Sequence, residues 1–198
     1  MHDFAARVGV ELQTEPVLFA AMLDAYGNKG PAEIPPKRLY TFKHVLRLAA
    51  DQGVPLRLPP AHPFNPLLGL RLASLDLPVQ QRRGVIDVLF ARVWSTGEGI
   101  TDPDALAEGL SRAGHDGAGL VAAAGSSDTK QRLRTATDHA VERGLFGVPS
   151  FEVDGELFWG QDAYGHIERF LAGHDPVSAD LVARWETLPA QARREGSR

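Results

Sequence analysis

The chain holds 198 residues, with 21 Lys and Arg against 25 Asp and Glu, 43% hydrophobic and 23% charged residues, and no cysteine. That balance excludes a collagen-like or wholly disordered chain, and a net charge of -4 gives no electrostatic ground for a nucleic-acid partner. Without cysteine there is no disulfide, thiolate nucleophile, CxxC redox pair or Cys-ligated metal, so any thiol chemistry must use a sulfur from elsewhere.

The first residues carry no basic start followed by an apolar stretch, and no run approaches the roughly 18 uninterrupted apolar residues of a membrane span. A cytoplasmic protein with no membrane partner is the expectation. Residues 1–8 read as the tail of a helix closed by Gly9. From Val10 to Phe19 apolar and polar residues alternate with period two, the pattern of a half-buried strand, with Pro16 suiting an edge or a strand end. Tyr26 to Pro36 is loop, dense in Gly and Pro.

From Lys37 the period changes. Leu39, Phe42, Val45, Leu46 and Ala49 recur at helical spacing, which predicts an amphipathic helix ending near Gly53. Prolines 55, 59, 60, 63 and 66 mark an extended, rigid connector. Helical periodicity returns around Leu67–Leu75 and again from Val85 to Trp94. Asp102, Pro103 and Asp104 supply a helix start. Residues 117–125 are small and Gly/Ala-rich, and helical character resumes from Ser127 to Arg143.

Near the end the period changes once more. Ser150–Val153 and Glu156–Trp159 flank Asp154 and Gly155, a pair that tolerates the positive φ of a tight hairpin turn. Gly160, Gln161 and Asp162 open a helix with Ile167, Phe170 and Leu171 on its apolar face and Gly173 at its end. Residues 191–198 are polar and expected to fray. Trp94 and Trp159 suit a core or a pocket wall. The histidines show no ligand spacing and Asp102 and Asp104 belong to a helix start, so no metal site is expected.

Two sets of residues then carry a resemblance. Phe146, Gly147, Val148, Pro149, Ser150 and Phe151, the Asp154–Gly155 pair, and Leu157 through Asp162 closely resemble the C-terminal half of the thioredoxin-like DsbA/kappa class. The nearest likeness within it is to the 2-hydroxychromene-2-carboxylate isomerases. Gly27, Asn28, Pro31, Pro36, Lys37, Tyr40, Pro63, Phe64 and Asn65 follow that family's order and spacing. The resemblance implies an α/β, thioredoxin-like fold with a large all-helical insertion. It divides the chain into a thioredoxin-like part (1–35 and 140–175), an insertion (36–139), and a C-terminal helix with a polar tail (176–198).

The same resemblance implies a glutathione-dependent isomerase of aromatic catabolism acting on a small aromatic substrate, with a homodimer among the open assembly states. Pro149 would be the family's cis-proline, turning the backbone of Val148 outward to pair with the cysteinyl unit of glutathione. Gly160, Gln161 and Asp162 would receive the γ-glutamyl end, the helix start facing its carboxylate and the Asp162 side chain its ammonium. Asp162 also suits a helix N-cap. Lys37 and Asn28 match positions that hold glutathione from the insertion side, and Asn65 lies where relatives contact substrate. His62 matches no required residue type. The chain departs from the family at Leu23, Glu33 and Ile34, where more polar or basic groups stand, and at Ala163, where Arg is common.

Relatives begin with a strand and a Ser-Pro-x-Ser loop that this chain does not contain, so the first strand is expected to be missing and the family's catalytic serine has no counterpart. A misplaced start is the favoured explanation, with a truncated remnant and a closed-up binding protein as alternatives; intact mass of the natively expressed protein separates them. Besides the isomerase, a kappa-like glutathione transferase and a noncatalytic thioredoxin-fold binding protein remain open readings.

Overall fold

The structure is a computed structural model that describes residues 1–189 and Gln191. In chain order it contains helices α1 (His2–Val8), α2 (Phe19–Ala25), α3 (Pro35–Asp51), α4 (Leu67–Ala73), α5 (Val79–Phe90), α6 (Pro103–Arg112), α7 (Gly117–Ala124) and α8 (Ser127–Glu142). Strands β1 (Ser150–Val153) and β2 (Glu156–Trp159) follow, then α9 (Tyr164–Leu171) and α10 (Ala179–Glu186). Apart from Gln191, the polar tail expected at 191–198 lies outside the described residues. The chain forms two compact units, one of Met1–Leu12 with the described residues from Pro149 onward, the other Gln13–Val148.

The larger unit is helical. Its core joins Leu72, Val85, Leu89, Val93, Leu106, Leu110, Leu120 and Ala124 from α4 through α7. Local chemistry sets several of its boundaries. The Asp102 carboxylate accepts from the N–H groups of Asp104 and Ala105 at 3.0 and 3.1 Å, capping α6, and Ser126 caps α8 through Thr129 N–H. The Gly/Ala-rich stretch expected only to be small is a full helix, α7. Alanine favours helix, and glycine lets α7 approach α6 so closely that a Cβ on Gly117 would lie 1.9 Å from the Ala107 carbonyl oxygen.

α5 passes into a π-helical turn at Ala91–Ser95. Within it Arg92 is buried, donating from Nε to the Gly99 carbonyl at 3.1 Å and pairing with Glu98, which Arg112 also approaches at 3.6 Å. Arg92 falls on the same stripe as Val85 and Leu89, seven and three residues on. The proline-rich connector is fastened here, with Arg57 N–H donating to the Trp94 carbonyl at 2.7 Å.

Two expectations fail in this unit or at its edge. Val10–Phe19 is not a strand: among the described residues it forms no ladder with another segment, and its last residue already starts α2. At its end, Leu18 N–H donates instead to Oγ1 of Thr137 on α8 at 3.0 Å, while that hydroxyl donates to the Leu133 carbonyl at 2.8 Å. α3 has the expected helical period but buries none of its residues; Leu39, Phe42, Val45 and Leu46 are all exposed. Periodicity says that an apolar face exists, not that something covers it.

The smaller unit is built on the hairpin. Its register pairs Ser150 with Trp159, Phe151 with Phe158, Glu152 with Leu157 and Val153 with Glu156. Asp154 (φ 50°) and Gly155 (φ 84°) make the turn as their residue types predict. Phe158 meets Phe170 of α9 edge-on with centroids 5.5 Å apart, and Tyr164 lies between Phe4 (4.5 Å) and Phe151 (5.5 Å). Ala5, Ala163 and Ile167 are buried beside them, and Arg7 pairs with Glu168. Trp159 is 55% exposed, so it is neither core nor the wall of a closed pocket.

Candidate glutathione-binding residues

In the smaller unit the segment Gly160–Asp162 leaves β2 and turns into α9 through a short 3-10 turn. Gly160 N–H donates to the Pro149 carbonyl at 3.0 Å, which prolongs the hairpin by one bond and ties the two motif segments together. Gly160 sits at φ 93° and ψ 155°, backbone essentially reserved for glycine. A Cβ there would stand 2.4 Å from Oδ1 of Asp162, so the carboxylate lies over the Gly160 Cα. Asp162 is not the expected N-cap: Gly160 precedes the 3-10 turn and Ala163 precedes α9, so the Asp162 carboxylate stands inside the turn and lies against Gly160. Gln161 and Asp162 are exposed, leaving acceptor oxygens and helix-start amides open to solvent.

Pro149 opens this unit, and its peptide bond with Val148 is trans; the cis bond among the described residues is His62–Pro63. The cis-proline expectation at Pro149 is therefore corrected. Trans is the lower-energy isomer of an X-Pro bond by about 0.5–1 kcal/mol unless surrounding contacts impose the other. The outward-turned Val148 backbone that depended on it goes as well, although Val148 itself, closing the other unit, is exposed.

In the larger unit Asn28 follows Gly27 in the turn after α2, its N–H donating to the Leu23 carbonyl at 2.9 Å. Lys37 is exposed in the first turn of α3. Beside it, Arg38 Nη2 donates to the His62 carbonyl at 2.5 Å, which brings the start of α3 to the proline-rich connector. There the rings of His62, Phe64 and Trp94 lie within 6.5 Å of one another, centroid to centroid. Asn65 follows directly, and its Oδ1 accepts from Leu67 N–H at 3.0 Å, starting α4. The side-chain carbonyl of the expected substrate contact is thus engaged at a helix start. Arg38 was not singled out by sequence reasoning, and His62, Phe64 and Trp94 were named one by one but not as a cluster; the signal available was a cation and aromatics flanking the connector.

The model of the DSBA-like thioredoxin domain matches residues 1–172. The 2-hydroxychromene-2-carboxylate isomerase of Sphingobium xenophagum is 28% identical over 172 residues, 85% of this chain and 87% of that protein. Glutathione s-transferase kappa 2 of Caenorhabditis elegans is 30% identical over 188 residues, 87% of this chain and 78% of that one. A solved structure of 2-hydroxychromene-2-carboxylate isomerase matches with a TM-score of 0.78 at 21% identity, covering 96% of this chain and 90% of its own, a likeness of fold. With that fold, and with a family match spanning all but the C-terminal part, the chain belongs to the DSBA-like thioredoxin domain family.

Proposed function

We propose that the chain is a glutathione-dependent isomerase of the 2-hydroxychromene-2-carboxylate isomerase type. The observation that carries this reading is the Gly160–Asp162 turn, where glycine-only backbone and an exposed carboxylate form an open polar step at a helix start. That step fits the zwitterionic γ-glutamyl end: Asp162 would accept from its ammonium, and the amides of Gln161 and Asp162 would donate to its carboxylate. Lys37 would meet a further carboxylate as a point charge, and Asn28 would hydrogen-bond the peptide. When bound, glutathione supplies a thiol nucleophile, a group this cysteine-free chain does not contain. Pro149, whose carbonyl accepts from Gly160 N–H, remains a candidate in that step, and Val148 remains an exposed candidate in the other unit. The His62, Phe64 and Trp94 rings with Asn65 suit a flat aromatic substrate.

Calorimetry with glutathione tests the reading. Binding by the parent and a loss of about tenfold or more in Asp162→Ala are expected, since a charge-assisted bond is at stake. A parent that does not bind glutathione would leave a noncatalytic binding protein. A kappa-like transferase would use the same residues, and the relative of that name at 30% identity keeps it in view. Turnover of the chromene carboxylate against conjugation of a chlorodinitrobenzene-type electrophile separates the two.

A further inference from the structure

Two helices present apolar stripes that stay open to solvent. α3 buries none of its residues, and Leu39, Phe42, Val45 and Leu46 stand exposed along one side of it. α10 also buries none. Its stripe holds Leu181, Val182 and Trp185 at three- and four-residue spacing, continued by Leu188, and Trp185 is 75% exposed. An isolated helix shorter than about 12–15 residues is marginal in water, so the eight residues of α10 need a surface to pack on. Contiguous apolar patches of this kind on a soluble chain mark a contact with a partner.

Charge selects the partner. α3 carries Lys37, Arg38, Lys43 and Arg47 against Asp51, with Lys43 and Arg47 one turn apart beside the stripe. α10 carries Asp180 and Glu186 against Arg184. Among the described residues Lys43, Arg47, Asp180 and Glu186 make no ion pair. Packing α3 on a second α3 would set basic edges together, and packing α10 on a second α10 would set acidic ones together. α3 on α10 instead brings opposite charges to the rim of an apolar seam.

We propose that two copies of this chain form a dimer in which α3 of each copy packs on α10 of the other. Reciprocal use of the two contacts about a two-fold axis closes the pair and covers all four stripes. Trp185 is the aromatic anchor of each seam, and the unpaired charges form its rim. The inference does not rest on the glutathione reading.

Sedimentation analysis of the full chain tests it. At about 100 µM the parent should sediment as a dimer, twice the 21.4 kDa of one chain. Lys43→Glu with Arg47→Glu reverses the α3 edge, and Asp180→Lys with Glu186→Lys reverses that of α10. Each double variant should weaken self-association by roughly tenfold or more, because each sets like charges together. Mixed in equal amounts, the two variants should dimerise with each other, since both contacts of the mixed pair again join opposite charges. Trp185→Ala should also be monomeric. The altered side chains are exposed, so circular dichroism of every variant should match the parent. A parent that is monomeric at about 100 µM overturns the proposal, including one that binds vesicles of anionic phospholipid instead. Open-ended assembly, a dimer indifferent to both reversals, or reversed variants that do not associate on mixing overturn it equally.

Discussion

Thr137→Val removes one oxygen from the interior of the larger unit while keeping the branched shape of the side chain. Thr137 is 4% exposed, and its hydroxyl accepts from Leu18 N–H at 3.0 Å and donates to Leu133 carbonyl at 2.8 Å. The Leu133 carbonyl sits within α8 and retains a helical donor, so its loss is small. Leu18 N–H has no such substitute. Losing that bond and leaving the amide unpaired costs about 1–3 kcal/mol, offset by up to about 0.8 kcal/mol from the extra buried methyl. The net is a destabilisation of about 0.2–2 kcal/mol. With a urea slope of about 2 kcal/mol/M, the unfolding midpoint should fall by about 0.1–1 M. Amide exchange at Leu18 should accelerate in Thr137→Val but not in Thr137→Ser, which keeps the acceptor. Unchanged midpoint and unchanged exchange at Leu18 would refute the claim that Thr137 takes over the role of a strand partner for this segment.

Asp102→Ala removes both side-chain bonds at the start of α6 and should cost about 1 kcal/mol in chemical denaturation; Asp102→Asn should recover most of it. Tyr164 has its phenol pushed up from the ordinary value by burial. The folded chain therefore holds the neutral phenol more tightly than the unfolded chain does, so its contribution is complete below about pH 10 and is lost as pH rises through the folded value. An absorbance titration should find one tyrosine ionising later than the others, and Tyr164→Phe should remove both that step and its share of the alkaline loss of stability. A Tyr164 that titrates with the exposed tyrosines would contradict the packing described for Phe4 and Phe151.

What was readable in the residues is what short-range sterics and hydrogen bonding decide. Asp154–Gly155 must turn a hairpin because both residues tolerate positive φ, and Asp102 before Pro103 must open a helix because its carboxylate reaches the next free amides. The Gly160–Asp162 step belongs to the same class: a glycine-only backbone followed by a carboxylate two residues on.

Tertiary structure decided the rest. Alternation in Val10–Leu18 describes a strand that needs a neighbour, and the neighbour its last amide finds is a threonine on α8. The stripe on α3 is correctly periodic and uncovered, whereas Arg92 falls on a stripe that is covered and so is buried against Glu98. The Arg82 Nε is shut from water without a partner. The Leu18–Thr137 bond and the covering of these side chains depend on atoms distant in sequence, whereas Asn65 meets the Leu67 amide two residues on and the trans Val148–Pro149 bond is the isomer that local sterics favour. Hydrophobic burial and electrostatic pairing act through space, so local pattern specifies which groups can pair while packing specifies which of them do.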